Sequence, residues 1–246
     1  MTFDAHRLSF GNVAEHYDRA RPGYPTDAVA WAISPDARRV LDLGAGTGKL
    51  TRVALSLGID GLELVAVEPD PGMRAQFDAA TAMMVPGLTA LAGSAEEIPL
   101  PDGSLDAVVV GQAYHWFTPE KALPEIARVL KPGGAFAPMW NVRSTEDGWT
   151  KHLDDIMNGG KTPAWSRAED PDFGPLFTPI ENRSFHHSIL YTAQRLRDLV
   201  ASRSHYLVAT PEKQAETLAQ VDELIGGFGE EFEMPYTTLV RKAFKL

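Results

Sequence analysis

The chain has 246 residues, 44% hydrophobic and 23% charged, with 21 glycines and 18 prolines, which excludes disorder across its bulk and allows a sizeable core. Its 33 acidic and 23 basic residues give a formal net charge of −10, which argues against nucleic acid or an anionic membrane as partner. There is no cysteine, so disulfides, thiolate zinc sites, iron–sulfur clusters and a cysteine nucleophile are excluded.

The first ten residues carry no signal pattern, and a cytoplasmic location is expected. Short helices are expected around Ala14–Ala20 and Asp27–Ile33. Arg38–Leu43 is an apolar run followed by glycines and then by a helix whose stripe is Leu50, Val53, Ala54 and Leu57, with Gly58 as its cap. Leu62–Glu68 is continuous rather than alternating, as in a strand covered on both faces. Met73, Phe77 and Met84 mark another helix. Leu88–Ala92 and Leu105–Val110 read as strands, and Thr118-Pro119 as a helix start with a capping residue. Leu123, Ile126, Ala127 and Leu130 give that helix its apolar face. Lys131-Pro-Gly-Gly134 ends it, and Ala135–Trp140 is a fifth strand. Strands alternating with helices predict a parallel sheet with helices on both faces.

Beyond residue 141 the pattern changes. A Gly/Pro-interrupted aromatic stretch runs from about Thr145 to Pro179. Phe185–Tyr191 then reads as a strand, Thr192–Arg203 and Pro211–Ile225 as helices, and Tyr236–Phe244 as a final strand. The expected organisation is one domain over 1–246. It has a helical cap at 1–37, a core at 38–141, an insert at 142–180 and C-terminal strands and helices at 181–246.

The most informative segment is Val40-Leu-Asp-Leu-Gly44-Ala-Gly46-Thr-Gly48-Lys49. Glycines between a strand and a helix let the backbone approach a ligand where helix amides point outward. A dinucleotide fingerprint would place its third glycine at Lys49, and a P-loop would need Ser or Thr where Leu50 stands. Asp42 just before the loop would oppose a pyrophosphate and suit a cation or a hydroxyl. Glu68 lies 20 residues after Gly48, where a carboxylate can accept from both ribose hydroxyls of an adenosine.

Asp42-Leu-Gly-Ala-Gly-Thr-Gly48 resembles the first motif of the class I S-adenosylmethionine-dependent methyltransferases. Val65-Ala-Val-Glu68-Pro-Asp-Pro-Gly-Met73 resembles the second, Gly93 to Asp106 the third, and Arg128-Val-Leu-Lys-Pro-Gly-Gly134 the turn before the fifth strand. The likeness runs from about Phe10 to Asn141, in order. It points to the small-molecule branch, similar to trans-aconitate and quinone-biosynthesis methyltransferases. It implies a Rossmann-like α/β fold with a mainly parallel seven-stranded sheet and an antiparallel last strand. The implied cofactor is S-adenosylmethionine, and the implied partner a small-molecule acceptor taken by a monomer or homodimer.

The resemblance puts Gly44, Ala45 and Gly46 under the methionine part of the cofactor and Asp42 near its amino group. Glu68 would hold the ribose, Met73 would pack beside the adenine, and Ser94, Ala95 and Glu96 would line its edge. Many relatives carry aspartate where Ser94 stands. Tyr17 would cover the sulfonium, whose charge an aromatic face attracts. Gly111-Gln112-Ala-Tyr114-His115-Trp116-Phe117 would line the cofactor and acceptor pocket, with His115 as base or hydrogen-bond donor and Trp116 beside the acceptor. Trp140 and Arg143 would form its other edge, and Arg143 suits an anionic acceptor. Ordinary alternatives stand beside these roles: helix packing for Tyr17, core for Met73, a turn for Ser94, packing for the His-Trp-Phe cluster and a solvated arginine at 143. Trp149, Trp165, Phe173 and Phe177 either cover the acceptor or are core. His186 and His187 point to opposite faces of a strand and cannot chelate one ion, so no catalytic metal is expected. A nicotinamide-dependent oxidoreductase and a non-catalytic cofactor-binding protein are the competing functions.

Overall fold

Apolar runs that are continuous become parallel strands here because helices cover both of their faces. The computed structural model describes residues 21–144, 148–158 and 171–246. The expected helix over 14–20, Tyr17 and Trp165 lie outside the described residues. The first described helix, α1 (Thr26–Ile33), precedes β1 (Arg39–Leu43), α2 (Lys49–Ser56), β2 (Glu63–Val67) and α3 (Pro71–Thr81). Then come β3 (Ala90–Leu91), β4 (Leu105–Gly111), α4 (Pro119–Val129) and β5 (Leu130–Arg143). The C-terminal part holds α5 (Gly148–Asn158), β6 (Glu181–Tyr191), α6 (Ala193–Ala201), α7 (Ser204–Leu207), α8 (Pro211–Ile225) and β7 (Phe232–Phe244).

The strands form one seven-stranded sheet in the order β3-β2-β1-β4-β5-β7-β6. β1 pairs in parallel with β2 and β4, and β5 in parallel with β4, while β7 runs antiparallel between β5 and β6. Alternate residues of one strand therefore enter different cores. Val40, Ala107 and Val109 meet α1 and α2, whereas Leu41, Leu43, Val108 and Val110 meet α4. A third apolar cluster joins α5, α6 and α8 to β6 and β7 through Leu153, Leu196, Leu199, Val221 and Tyr236.

Several expected boundaries shift. Leu88–Ala92 contributes only Ala90 and Leu91 to the sheet edge, and Met84 lies beyond α3, exposed to solvent. Thr118 makes no side-chain cap; its amide donates to Glu96 Oε1 at 2.9 Å instead. Lys131–Gly134 falls within the long β5, where Gly133 at φ +74° turns the chain without a Cβ penalty. The stretch after residue 144 contains a helix, α5, that the glycines and prolines around it obscured. The expected Thr192–Arg203 helix breaks at Ser202, whose hydroxyl donates back to Leu199 O at 2.7 Å.

Candidate active site

Parallel strands put their C-terminal ends, and the loops that leave them, on one edge of the sheet, where α/β folds bind ligands. A cavity of about 260 Å³ opens there. The glycine loop forms its floor. Gly44 and Ala45 amides both donate to Val67 O, at 2.8 and 3.1 Å, which docks the loop onto β2. Gly46 has φ +57°, and a Cβ there would meet nothing within 4 Å, so its backbone faces open space. Its amide donates to Glu68 Oε2 at 2.9 Å.

Asp42, the penultimate residue of β1, is only 1% exposed and lines the cavity. Thr51 donates to its Oδ2 at 2.6 Å, while Oδ1 is buried with no partner among the described residues. Burial pushes the carboxyl up to about 7; the Thr51 bond opposes this and Glu68 adds to it. A buried carboxylate oxygen lacking a donor is costly unless a ligand supplies one. It therefore fits a cationic group such as an ammonium.

Glu68 follows β2 and is also buried. Its Oε1 accepts from the Asp70 amide at 2.9 Å, so the side chain staples the glycine loop to the start of α3. Each oxygen retains a second lone pair, which leaves capacity for a diol. Burial raises this carboxyl as well, against the two backbone donors. Asp70 caps α3 by accepting from the Gly72 and Met73 amides, with Pro71 in the first turn. Met73 is thus fixed, buried and still part of the cavity wall. Ser94, Ala95 and Glu96 form the facing wall in a turn in which Ser94 Oγ accepts from the Glu96 amide at 3.3 Å.

β4 is followed by Gln112, a non-glycine residue held at φ +57°. Such a conformation costs about 1–3 kcal/mol and persists where the surroundings impose it. Its amide donates to Met139 O and its Nε2 to Asn141 O at 3.0 Å. The turn Tyr114–Trp116 then splits the expected aromatic cluster. Tyr114 enters the core, edge-on to Phe117, Trp140 and Phe173, while His115 and Trp116 line the cavity. His115 Nδ1 is buried with no partner among the described residues. Burial and the charges of Arg21 and Arg203 push its pKa down to about 4, so it is neutral at physiological pH.

The β5 edge divides by strand alternation. Trp140 packs in the core and does not line the cavity, whereas Asn141 does. Asn141 Nδ2 donates to Gly23 O at 2.8 Å and its Oδ1 accepts from Thr238. Arg143 lines the cavity too, but as a buried residue paired with Asp154 of α5 rather than as a solvated arginine. Phe173 and Phe177 stack around Phe136, and Trp149 packs on Phe228 and Phe232, so these aromatics are core rather than an acceptor cover.

The residues that sequence reasoning missed come from far along the chain. Arg21, Asp154, Met157, Arg203 and Tyr236 all line the same cavity. Arg21 Nε and Nη2 donate to Ser202 Oγ and O, each at 3.1 Å, which binds the N-terminal segment to the break between α6 and α7. No local pattern marks them, since 181 residues separate Arg21 from Ser202. His186 and His187 bond to Thr237 and Thr238 on β7 instead. Among the described residues no group of three or more His, Asp or Glu could hold a metal, and no helix is long and apolar enough to cross a membrane.

Residues 41–137 match the methyltransferase-domain family. An uncharacterized methyltransferase of Mycobacterium tuberculosis is 41% identical over 241 residues, covering 96% of this chain and 95% of that protein. A provisionally assigned type II methyltransferase structure from Anaeromyxobacter dehalogenans superposes with TM-score 0.63 at 21% identity, covering 90% of this chain and 97% of that one. A Haemonchus contortus phosphoethanolamine N-methyltransferase 2, solved with S-adenosyl-L-methionine, has TM-score 0.57 at 16% identity, covering 100% of this chain and 60% of that one. The chain belongs to the class I S-adenosylmethionine-dependent methyltransferases, an enzyme family whose cofactor is S-adenosylmethionine.

Proposed function

We propose that this enzyme transfers a methyl group to a small organic acceptor by in-line displacement, with positioning as its main catalytic device. The observation that carries this reading is the polarity of a single cavity. Asp42 and Glu68 make one end acidic, and Arg21, Arg143 and Arg203 make the other basic. An acidic end suits a cofactor carrying ammonium and sulfonium charges. When bound, the cofactor supplies a methyl that an acceptor lone pair takes as the carbon–sulfur bond breaks onto sulfur.

Asp42 would hold the ammonium, with Gly44, Ala45 and Gly46 beneath that part of the molecule. Glu68 would hold the ribose and Met73 one face of the adenine, while Ser94, Ala95, Glu96 and Gln112 complete the wall. Trp116 and Arg143 would border the acceptor. His115, neutral among arginines, would align the acceptor by a hydrogen bond more readily than take its proton, since a base works best with a pKa near the operating pH. Trp140 would act through Tyr114 alone. Excluding water and aligning the nucleophile are what such a transfer requires.

A macromolecular acceptor fits less well, because the net charge of −10 repels nucleic acid. We keep a monomer or homodimer as the expected assembly. A nicotinamide oxidoreductase is not favoured, given the glycine spacing and the family. The test is to incubate the enzyme with methyl-labelled S-adenosylmethionine and a cell extract, then separate by size. Label should appear in an enzyme-dependent low-mass product that separates from S-adenosylmethionine on chromatography of the filtrate. Label held on RNA or protein would overturn the reading.

A further inference from the structure

Among the described residues, Arg21, Arg143, Arg203 and Asp154 line the basic end of the cavity. Arg143 is paired with Asp154, and Arg21 is held by Ser202. Arg203 emerges at the break between α6 and α7 and lines the cavity beside them. Its Nε is buried without a hydrogen-bond partner among the described residues, and so is Arg143 Nε. His115 Nδ1, in the same wall, is likewise unpartnered. Burial, Arg21 and Arg143 all oppose the positive charge of Arg203. A buried guanidinium with unmet donors is costly unless something supplies both counter-charge and acceptors.

We propose that Arg203, Arg21 and Arg143 form an oxyanion subsite that takes the carboxylate or phosphate of an anionic small acceptor. The inference rests on the methyltransferase reading and adds the acceptor's chemical class. Guanidinium forks pair with either oxyanion through two parallel N–H donors. A bound anion also relieves the repulsion among the three arginines. It thereby tightens the seam between the N-terminal segment at Arg21 and the cap at Ser202. The neutral His115 beside it can donate to, or accept from, the same group.

Calorimetry and thermal melting test this on the enzyme saturated with S-adenosylhomocysteine, using malonate, inorganic phosphate and the neutral malonamide as probes. Malonate or phosphate should bind and raise Tm, and malonamide should do neither; which of the two binds more tightly separates carboxylate from phosphate acceptors. Arg203→Met should weaken anion binding at least about tenfold, with S-adenosylhomocysteine affinity unchanged. Without ligands, Arg203→Met should melt above the wild type, because it removes a charge that burial, Arg21 and Arg143 oppose more than Asp154 and Tyr236 support it. Equal binding of malonate and malonamide, no anion binding, or full anion affinity in Arg203→Met would overturn the proposal. If Arg203→Met does not fold, Arg203→Lys decides: retained anion binding supports the subsite, and lost binding with intact S-adenosylhomocysteine affinity overturns it. A wild type that fails to bind S-adenosylhomocysteine would instead sink the methyltransferase reading.

Discussion

Asp42 and Glu68 are both buried carboxylates at the ends of adjacent strands, yet their surroundings give them different work. Asp42 keeps one oxygen without a donor, and its carboxyl sits near 7. Its folded pKa lies above the ordinary value, so its contribution to stability is full at low pH and is lost as pH rises through about 7. The charged form that an ammonium needs appears over the same window. Cofactor affinity should therefore fall as pH drops from about 8 to about 6, and Asp42→Asn should bind weakly with little pH dependence. Calorimetry across that range checks this, and a parallel slope in the variant would contradict it. In the proposed role, Glu68 would hold a ribose whose hydrogen bonds do not change during transfer. Their loss, at about 1.5–3 kcal/mol for a charged group, should raise the cofactor dissociation constant of Glu68→Ala about 10- to 100-fold. Turnover at saturating cofactor should stay near normal, as expected of uniform binding. His115→Ala should do the reverse, sparing cofactor affinity and raising the acceptor Michaelis constant. A loss of turnover of about 100-fold or more would mark His115 as a base after all.

The glycine loop works as an element only because α2 and α3 leave it room. Gly48 adopts φ +81°, and a Cβ there would lie 2.8 Å from the Phe77 ring of α3. Gly48→Ala combines left-handed strain with overpacking and should destabilise the protein by about 2 kcal/mol or more, measurable by denaturant titration. An unchanged midpoint would mean that α3 shifts freely. Elements with a strong local signal were legible in the sequence: the apolar runs of β1, β2 and β4, the proline-started α4 and α8, and the glycine loop. The C-terminal elements were less so. Glycines and prolines on either side hid α5, and the break at Ser202 depends on Arg21, far away in the chain. The acidic end of the cavity could be read because its residues are near neighbours in sequence. At the basic end only Arg143 could be read, because folding alone brings Arg21 and Arg203 to it.

At the scale of the molecule, the sheet supports a cavity whose two ends differ in charge while the surface as a whole is acidic. Strand order explains the layout. The first four strands of the sheet carry the glycine loop and Glu68, and the antiparallel β7 brings Tyr236 opposite Arg143 in register. The cap of α5, α6 and α8 closes the far side through its own apolar cluster. On the proposed reading, the acidic end of the cavity takes an adenosine-bearing cation. Parallel calorimetry with S-adenosylmethionine and NAD tests it most directly. S-adenosylmethionine should bind at one site per chain, and at about 100 times its dissociation constant it should stabilise the fold by about 2.7 kcal/mol. NAD should do neither. Binding of NAD in place of S-adenosylmethionine would contradict the account.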